Sequence, residues 1–329
     1  MNSSEHPKQP APRNRTLTLS EAERSHYQSH LLTCDRPMTV EEILNRTICQ
    51  DLFEVLEWLP QGFVDLLFVD PPYNLSKRFN QQWVKRRSLT EYTDWVDSWL
   101  SRLIPLLKPT ASVYLCGDWQ SSLALYEVAS RHLQVRNRIT WEREKGRGAN
   151  ANWKNCSEDI WFCTLSQTYY FNAEAVQLKR RVIAPYTNEA GQPKDWERGR
   201  NGNFRLTAPS NLWTDLTIPF WSMPENTCHP TQKPEKLLAK VILASCPERG
   251  VVLDPFLGSG TTSVVAKKLD RQFIGIEQDE DYACLAEKRL ALAESDRTIQ
   301  GYTDGVFWER NTLSLQRSQR RTSAKDPEL

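Results

Sequence analysis

Short apolar runs alternate along the chain with segments whose apolar residues recur at helical spacing. The pattern predicts helices near 52–59, 92–107, 123–128 and 237–242. It predicts strands at 47–51, 64–69, 111–116, 158–164, 250–254 and 273–277, and one that begins at Ile139. Strands that alternate with helices are typical of a mostly parallel α/β sheet.

The pattern is interrupted in three places, which divide the chain. Residues 1–45 are polar and contain several prolines, which predicts a flexible extension, and 299–329 predict a mobile basic tail. Residues 165–228 lack a regular period, and so long a segment favours either an inserted recognition region or a surface insertion without function. The regular halves are 46–164 and 229–298.

The strand at 64–69 ends at a carboxylate, two prolines and a tyrosine. Because Pro71 and Pro72 cannot continue a strand ladder, Asp70 lies at the carboxyl edge, where open α/β sheets bind ligands. Asp70 and the Pro71 carbonyl could accept two hydrogen bonds from one NH2 group, and Tyr73 offers a face to a planar ring. Taken alone, these four residues fit an ordinary turn equally well.

A glycine turn follows the strand that ends at Asp254. Gly258 and Gly260 would let the backbone approach a ligand, and Glu277, at the end of the next strand, could hold two ribose hydroxyls. A lone Gly-x-Gly also serves close packing, and a third glycine at dinucleotide spacing is missing, which disfavours an NAD-dependent dehydrogenase. Asp51 also ends a strand, so it either faces the same crevice or caps a helix.

The net charge of the chain limits the kinds of macromolecule that it is expected to bind. The 329 residues carry a formal net charge of +1, with 39% hydrophobic and 25% charged residues, so the chain can bury a core and is not a histone-like polycation. Any contact with nucleic acid must come from local basic patches, although such patches are often only solvated. The candidates for DNA binding are Lys77, Arg78, Arg86, Arg87, Lys179, Arg180, Arg198 and Arg200.

The eight cysteines are scattered, with no Cys-x-x-Cys pair and no secretory signal. This distribution predicts reduced thiols in the cytoplasm and no metal site. No apolar run approaches the roughly 18 residues that a membrane helix requires. The sequence therefore predicts no association with a membrane.

Three motifs together resemble the class β DNA amino-methyltransferases: 70–74 (Asp-Pro-Pro-Tyr-Asn), 229–234 (His-Pro-Thr-Gln-Lys-Pro) and 254–262 (Asp-Pro-Phe-Leu-Gly-Ser-Gly-Thr-Thr). The resemblance covers roughly 46–295, with the catalytic motif before the cofactor motif. It implies a circularly permuted, Rossmann-like methyltransferase fold with a doubly wound, mostly parallel sheet. It also implies that 165–228 is the target recognition region and that S-adenosyl-L-methionine is the cofactor.

By the same resemblance, the amino-group site consists of Asp70, Pro71, Pro72 and Tyr73. The cofactor residues that it implies are Asp51, Asp70, Thr231, Lys233, Asp254, Phe256, Gly258, Ser259, Gly260 and Glu277. The substrate it implies is a base flipped out of double-stranded DNA. N6 of adenine is favoured over N4 of cytosine because, in the family, aspartate at the first position of the tetrapeptide tends to accompany adenine.

Several alternatives stay open after the resemblance. RNA and protein glutamine are more remote substrates, since related tetrapeptides act on those groups too. A non-catalytic nucleic-acid binding module is disfavoured, because no site residue departs from the family pattern. The resemblance is to prokaryotic, nucleoid-associated enzymes, for which a homodimer and a cognate restriction endonuclease are candidate protein partners.

Overall fold

The computed structural model describes residues 11–79, 82–143, 151–183, 186–199 and 202–312. The helices are α1 (Glu21–Gln28), α2 (Val40–Ile43), α3 (Leu52–Val55), α4 (Leu89–Leu103), α5 (Ser121–His132), α6 (Glu235–Ser245), α7 (Thr261–Lys268) and α8 (Glu280–Ser295). The strands are β1 (Arg46–Cys49), β2 (Val64–Val69), β3 (Lys77–Phe79), β4 (Gln82–Val84), β5 (Leu107–Gly117), β6 (Gln134–Glu142), β7 (Ser157–Thr164), β8 (Leu178–Arg181), β9 (Glu197–Gly199), β10 (Gly202–Thr207), β11 (Leu212–Trp213), β12 (Val251–Asp254), β13 (Gln272–Glu277), β14 (Tyr302–Thr303) and β15 (Val306–Trp308).

The central sheet has eight strands in the order β1-β13-β12-β2-β5-β7-β6-β11. Its pairs are parallel except those that β7 makes with β5 and β6. From β2 the chain passes through α4 to β5, which lies next to β2 in one direction along the sheet. From β12 it passes through α7 to β13, which lies next to β12 in the opposite direction. The strand order therefore reverses between β2 and β12, where doubly wound sheets bind ligands. The predicted Rossmann-like α/β fold is confirmed.

Each face of the sheet carries its own apolar layer. Helix α4 begins at a capping box, in which the Ser88 hydroxyl accepts from the Glu91 backbone and the Glu91 side chain reaches back to Ser88. Its apolar stripe, including Trp99 and Leu103, packs on one face as the helical spacing predicts. Helix α6 packs on the other face and is buried all round. No helix in the described ranges combines the length and apolar character that a membrane span requires.

Residues 165–228 contribute a second, five-stranded sheet in the order β14-β15-β8-β10-β9. Two of its strands come from the far end of the chain, and β15 pairs parallel with β8, placing Phe307 beside Leu178. Residues 299–308 are thus a strand hairpin and not a mobile tail, which corrects that prediction for the described part. The local pattern could not show this because β15 pairs with β8, which is distant in sequence.

Residues 11–45 are also ordered, contrary to the predicted flexible extension. Helix α1 packs on α8, where Lys288 Nζ contacts Glu23 Oε1 at 2.6 Å. Leu17 bridges to Thr227, and Leu32 bridges to Ile48 in β1. These contacts use a few apolar and charged residues spaced too widely to form a visible period. Residues 1–10 and 313–329 lie outside the described part.

Candidate active site

A cavity of about 510 Å³ opens at the carboxyl edge of the sheet, where β2 and β12 end side by side. The end of β2 contributes Asp70 and Tyr73, and the turn after β12 contributes Phe256 and Gly258. Every predicted catalytic and cofactor residue lines this cavity except Gly260. The sheet therefore brings together the motifs that are far apart in the sequence.

Asp70 is held by two hydrogen-bond donors. The Lys233 ammonium donates to Oδ2 at 2.6 Å, and the Tyr73 hydroxyl lies 3.0 Å from Oδ1. Burial raises the pKa of Asp70, and the Lys233 charge opposes that rise. Burial acts to lower the pKa of Lys233, but the Asp70 and Glu158 carboxylates outweigh it, so this pKa is raised. Lys233 is predicted to lie beside the cofactor. Its protonated ammonium contacts Asp70, the candidate catalytic carboxylate.

Glu158 is a second buried acid in the site, and sequence reasoning did not select it. Its side chain is 4% exposed; Oε2 lies 3.0 Å from the Tyr73 hydroxyl and 3.5 Å from Lys233 Nζ, and Oε1 pairs with Arg143. Glu158 stands near the start of β7, and because β7 is antiparallel to β5, its start lies at the carboxyl edge of the other strands. The available signal was a carboxylate inside an apolar strand pattern.

Local hydrogen bonds fix the chain after Asp70. The Tyr92 hydroxyl donates to the Pro72 carbonyl at 3.0 Å, and the Asn74 N–H donates to Ser121 Oγ at 2.9 Å. The Asn74 side chain also bonds the backbone of Arg87. Burial, together with the nearby acids, raises the pKa of Tyr73 well above its usual range, so its hydroxyl stays protonated.

The glycine turn is tied to its flanking elements by buried polar groups. Asp254 accepts from the Phe256 N–H at 3.0 Å and from the Thr262 hydroxyl in α7, and burial raises its pKa to about 7. Arg289 of α8 donates to the carbonyl of Ser259 at 2.8 Å. Asp254 and Arg289 therefore hold the turn in shape, and the role of Arg289 could not be read from the local sequence pattern.

The two glycines of the turn have different roles. Gly258 has φ of +54°, and a Cβ there would lie 2.9 Å from Nε2 of His229 at the cavity wall. Gly260 has φ of +83°, and its Cβ would lie 2.5 Å from Cβ and 2.8 Å from Cα of Ala286 in α8. The lack of a side chain at Gly260 therefore allows α7 and α8 to pack, and its predicted contact with the cofactor stays a prediction.

Two further acids border the cavity. Glu277 accepts from the N–H groups of Gly258 at 2.7 Å and Asp279 at 2.9 Å, and burial raises its pKa to about 7. Asp51 caps α3 by accepting from the Phe53 N–H at 2.8 Å, so the capping alternative is correct, and it also lines the cavity. Glu277 is the last residue of β13, and Asp51 lies two residues beyond the end of β1, the parallel neighbour of β13.

The His229 loop closes another side of the cavity. The Thr231 N–H donates to Nδ1 of His229 at 3.4 Å, and the His229 ring meets Tyr282 of α8 edge-on at 4.4 Å between centroids. Gln232 bridges the loop by accepting from Thr227 and donating to the Glu225 carbonyl. These hydrogen bonds hold together the loop from which Thr231 and Lys233 line the cavity.

The predicted DNA-binding residues differ in their surroundings. Arg86 is exposed, and Arg87 is exposed with its guanidinium 5.0 Å from the centroid of the Trp95 ring. In the second sheet, Lys179 Nζ lies 5.0 Å from the centroid of Trp308. Two further arginines belong to the same set: Arg180, whose Nε lies 3.4 Å from Glu309, and Arg198, which is exposed. Arg200 and the side chains of Lys77 and Arg78 lie outside the described part.

Comparison with known proteins agrees with this arrangement. The model of a family described as DNA methylase matches residues 64–288, which contain all three motifs. The type II methyltransferase M.HpaI of Haemophilus parainfluenzae is 30% identical over 248 residues, covering 74% of each chain. The DNA adenine methyltransferase YhdJ of Escherichia coli is 30% identical over 253 residues, covering 74% of this chain and 81% of that protein.

Solved structures share the fold. The cytosine-N4-specific PvuII DNA methyltransferase superposes with a TM-score of 0.54 at 17% identity, covering 77% of this chain and 92% of that one. M1.HpyAVI, solved as a complex with SAM, gives a TM-score of 0.51 at 23% identity, covering 74% and 98%. The family match spans most of the chain and includes the residues that meet in the cavity. The chain belongs to the N6/N4 family of DNA methylases.

Proposed function

We propose that this DNA methyltransferase transfers a methyl group from S-adenosyl-L-methionine to N6 of an adenine flipped out of double-stranded DNA. The observation that carries the proposal is the meeting of Asp70 and Tyr73 with the glycine turn in one cavity. The catalytic motif precedes the cofactor motif along the chain, which supports the permuted class β. A volume of about 510 Å³ falls within the range of about 300–1,000 Å³ of small-molecule sites.

The residues around the cavity fit the cofactor. Glu277 offers carboxylate oxygens, which accept hydrogen bonds and match ribose hydroxyls. Phe256 and Trp95 both line the cavity, with their ring centroids 6.2 Å apart. When bound, S-adenosyl-L-methionine supplies an electrophilic methyl group on a sulfonium. Glu277, Phe256 and the backbone of Gly258 are the groups that would hold it.

Asp70 and the Pro71 carbonyl would act on the target amine. An exocyclic amine is a weak nucleophile because its lone pair is shared with the ring. Two acceptors that hold its two hydrogens favour a tetrahedral nitrogen with a more available lone pair. Tyr73 would stack on the flipped base and so offset part of the unstacking cost of a few kcal/mol. The Pro72 carbonyl is engaged by Tyr92, which leaves the Pro71 carbonyl as the proposed second acceptor.

Adenine is the proposed base because YhdJ, named a DNA adenine methyltransferase, is 30% identical over most of its length, and because Asp70 begins the tetrapeptide. N4 of cytosine is the second candidate, since the PvuII enzyme of similar fold is named cytosine-N4-specific. M.HpaI and M.BglII are named type II methyltransferases, which supports a restriction–modification setting with a cognate endonuclease.

Mass spectrometry of nucleosides tests the base. Unmethylated plasmid is incubated with purified protein and cofactor, digested and compared with a reaction without cofactor. We expect N6-methyladenine. Finding N4-methylcytosine alone would overturn the choice of adenine, and finding neither, over a range of DNA sequences, would overturn the proposed activity.

The raised pKa of Glu277 predicts that cofactor binding depends on pH. The ionised carboxylate accepts hydroxyl hydrogens at both oxygens and more strongly than the protonated carboxyl, which keeps only its carbonyl oxygen as an acceptor, and burial raises its pKa to about 7. We therefore expect the affinity for S-adenosylhomocysteine, measured by calorimetry, to fall by up to about tenfold from pH 8 to pH 6. Glu277→Gln should bind more weakly at pH 8 and lose this dependence. A carboxyl with a raised folded pKa stabilises the fold as pH falls below 7, so this group does not cause unfolding at pH 6.

Asp254 provides the control for this experiment because burial raises its pKa to about 7 as well. It lies beneath the same turn and bonds Thr262, so its protonation could change the shape of the turn. If the pH dependence survives in Glu277→Gln and disappears in Asp254→Asn, the assignment of the ribose contact to Glu277 is wrong.

Residues 165–228 are proposed to read the DNA sequence. The segment forms three of the five strands of the second sheet, β8, β9 and β10, and also β11 at the edge of the central sheet. Its exposed basic side chains include Arg181, Lys194 and Arg198, and the Arg198 guanidinium lies 5.7 Å from the centroid of Trp196. Lys179 is instead half-buried against the rings of Phe204 and Trp308. Exposed cations there are available to phosphates or base edges.

Arg198→Ala tests this proposal, with Lys179→Ala as the matched control from the same sheet. If Arg198 contacts a phosphate, its loss should weaken DNA binding and reduce the slope of log affinity against log salt by about 0.9. Lys179→Ala should lower the melting temperature and leave the slope unchanged, because its ammonium packs on Trp308. Fluorescence anisotropy at several salt concentrations measures both slopes. An unchanged slope for Arg198→Ala would argue against phosphate contact at this position.

A further inference from the structure

The Tyr73 hydroxyl lies between two carboxylates. Its oxygen is 3.0 Å from Oδ1 of Asp70 and 3.0 Å from Oε2 of Glu158. A phenol carries one hydrogen, so it can donate to only one of these acceptors at a time. Lys233 Nζ lies 3.2 Å from the same oxygen and donates a hydrogen bond to it. The hydroxyl can therefore donate its hydrogen to either of two carboxylate oxygens at the same distance.

Which carboxylate accepts the Tyr73 hydrogen matters for the proposed function, on which this inference rests. Oδ2 of Asp70 already accepts from Lys233 at 2.6 Å, so Oδ1 is the oxygen left for the target amino group. A Tyr73 hydroxyl that donates to Oδ1 competes with the amino group for this acceptor. Turning the hydrogen about the Cζ–Oη bond toward Glu158 removes the competition without moving the ring.

We propose that Glu158 is a positioning residue that takes the Tyr73 hydrogen bond and thereby leaves Oδ1 of Asp70 to the target amine. Glu158 acts through Tyr73 and does not itself touch the amine. It is the only described carboxylate besides Asp70 to which Tyr73 donates. Its location near the start of β7, opposite Trp141 of β6, sets its distance from the end of β2.

Two cationic side chains and one further carboxyl group lie close to Glu158. They are Arg143 from the end of β6, Lys233 from the His229 loop and Asp70 from the end of β2. Arg143 pairs with Oε1, so Oε2 is the oxygen directed at the hydroxyl. The two cations offset the two carboxylates, which limits the cost of burying them.

A double-mutant cycle between Glu158 and Tyr73 tests the proposal. A hydrogen bond to a charged group contributes enough that Glu158→Ala should lower kcat by about 10- to 100-fold. In a Tyr73→Phe background no hydroxyl competes for Asp70, so adding Glu158→Ala should cost less than about threefold. Glu158→Gln keeps one oxygen as an acceptor and should lose less than Glu158→Ala. The affinity for S-adenosylhomocysteine should stay unchanged in all of these variants.

Asp159→Asn is the matched control. Asp159 is the next residue of β7, its side chain points to the other face, and it contacts Ser122 and Arg138. This variant should show no coupling to Tyr73→Phe. If Glu158→Ala does not fold, Glu158→Gln completes the same cycle.

Equal fold losses from the Glu158 change in both backgrounds would overturn the inference, because a structural ion pair would act regardless of the hydroxyl. The variant Asp70→Asn separates this failure from failure of the proposed function. If Asp70→Asn abolishes turnover but the cycle shows no coupling, only the role of Glu158 is wrong. If Asp70→Asn retains full turnover, the proposed site itself is wrong.

Discussion

Asp70→Asn should lower kcat by about 100- to 1,000-fold and leave the affinity for S-adenosylhomocysteine within a few-fold of the wild-type value. Lys233 is fixed against Oδ2, so the asparagine would turn its oxygen to the ammonium and its NH2 toward Tyr73. The target amino group would then face a donor in place of its acceptor. Asparagine is preferred to alanine because alanine would leave the buried Lys233 with fewer partners.

Single-turnover methylation and calorimetry measure the two quantities separately. Asp97→Asn is the control, since Asp97 pairs with Arg131 and His132 on the outside of α4 and does not line the cavity. We expect that variant to behave as the wild type. Loss of both turnover and cofactor binding in a folded Asp70→Asn protein would contradict the division of labour between Asp70 and the glycine turn.

Gly260→Ala should destabilise the fold by about 2–5 kcal/mol. Part of the cost is the positive φ of +83°, and the rest is overlap of the new Cβ with Cβ and Cα of Ala286. Because one of these atoms belongs to the backbone of α8, the overlap cannot be relieved by a side-chain rotation. Chemical denaturation followed by tryptophan fluorescence measures the change.

Gly305→Ala is the matched control for the backbone conformation alone. Gly305 has φ of +76°, and nothing lies within 4 Å of its added Cβ, so we expect a loss of about 1 kcal/mol. Similar losses in the two variants would show that the contact with Ala286 is unimportant. Gly258→Ala would meet the movable His229 ring at the cavity wall, so its main effect should be on cofactor affinity.

The sequence by itself was sufficient to predict the central architecture and the meeting of the candidate site residues at one edge of the sheet. The all-apolar run of β2 and the similar run of β12 mark strands buried on both faces, and such strands belong to a mostly parallel sheet. Parallel strands share one carboxyl edge, so Asp70, Asp254 and Glu277 had to meet there. The three motifs in their order then identified the family.

Only the tertiary structure decided which side chains act on one another. Lys233 is 163 positions from Asp70, and Glu158 is 85 positions from Tyr73, so no local pattern reports these contacts. Glu158 reaches the site because β7 runs antiparallel, and the start of a parallel strand would have lain at the opposite edge. Likewise, Gly260 faces a helix and β15 completes a distant sheet. Apolar periodicity encodes which residues are buried, whereas partners, strand direction and close packing are set only when the chain folds.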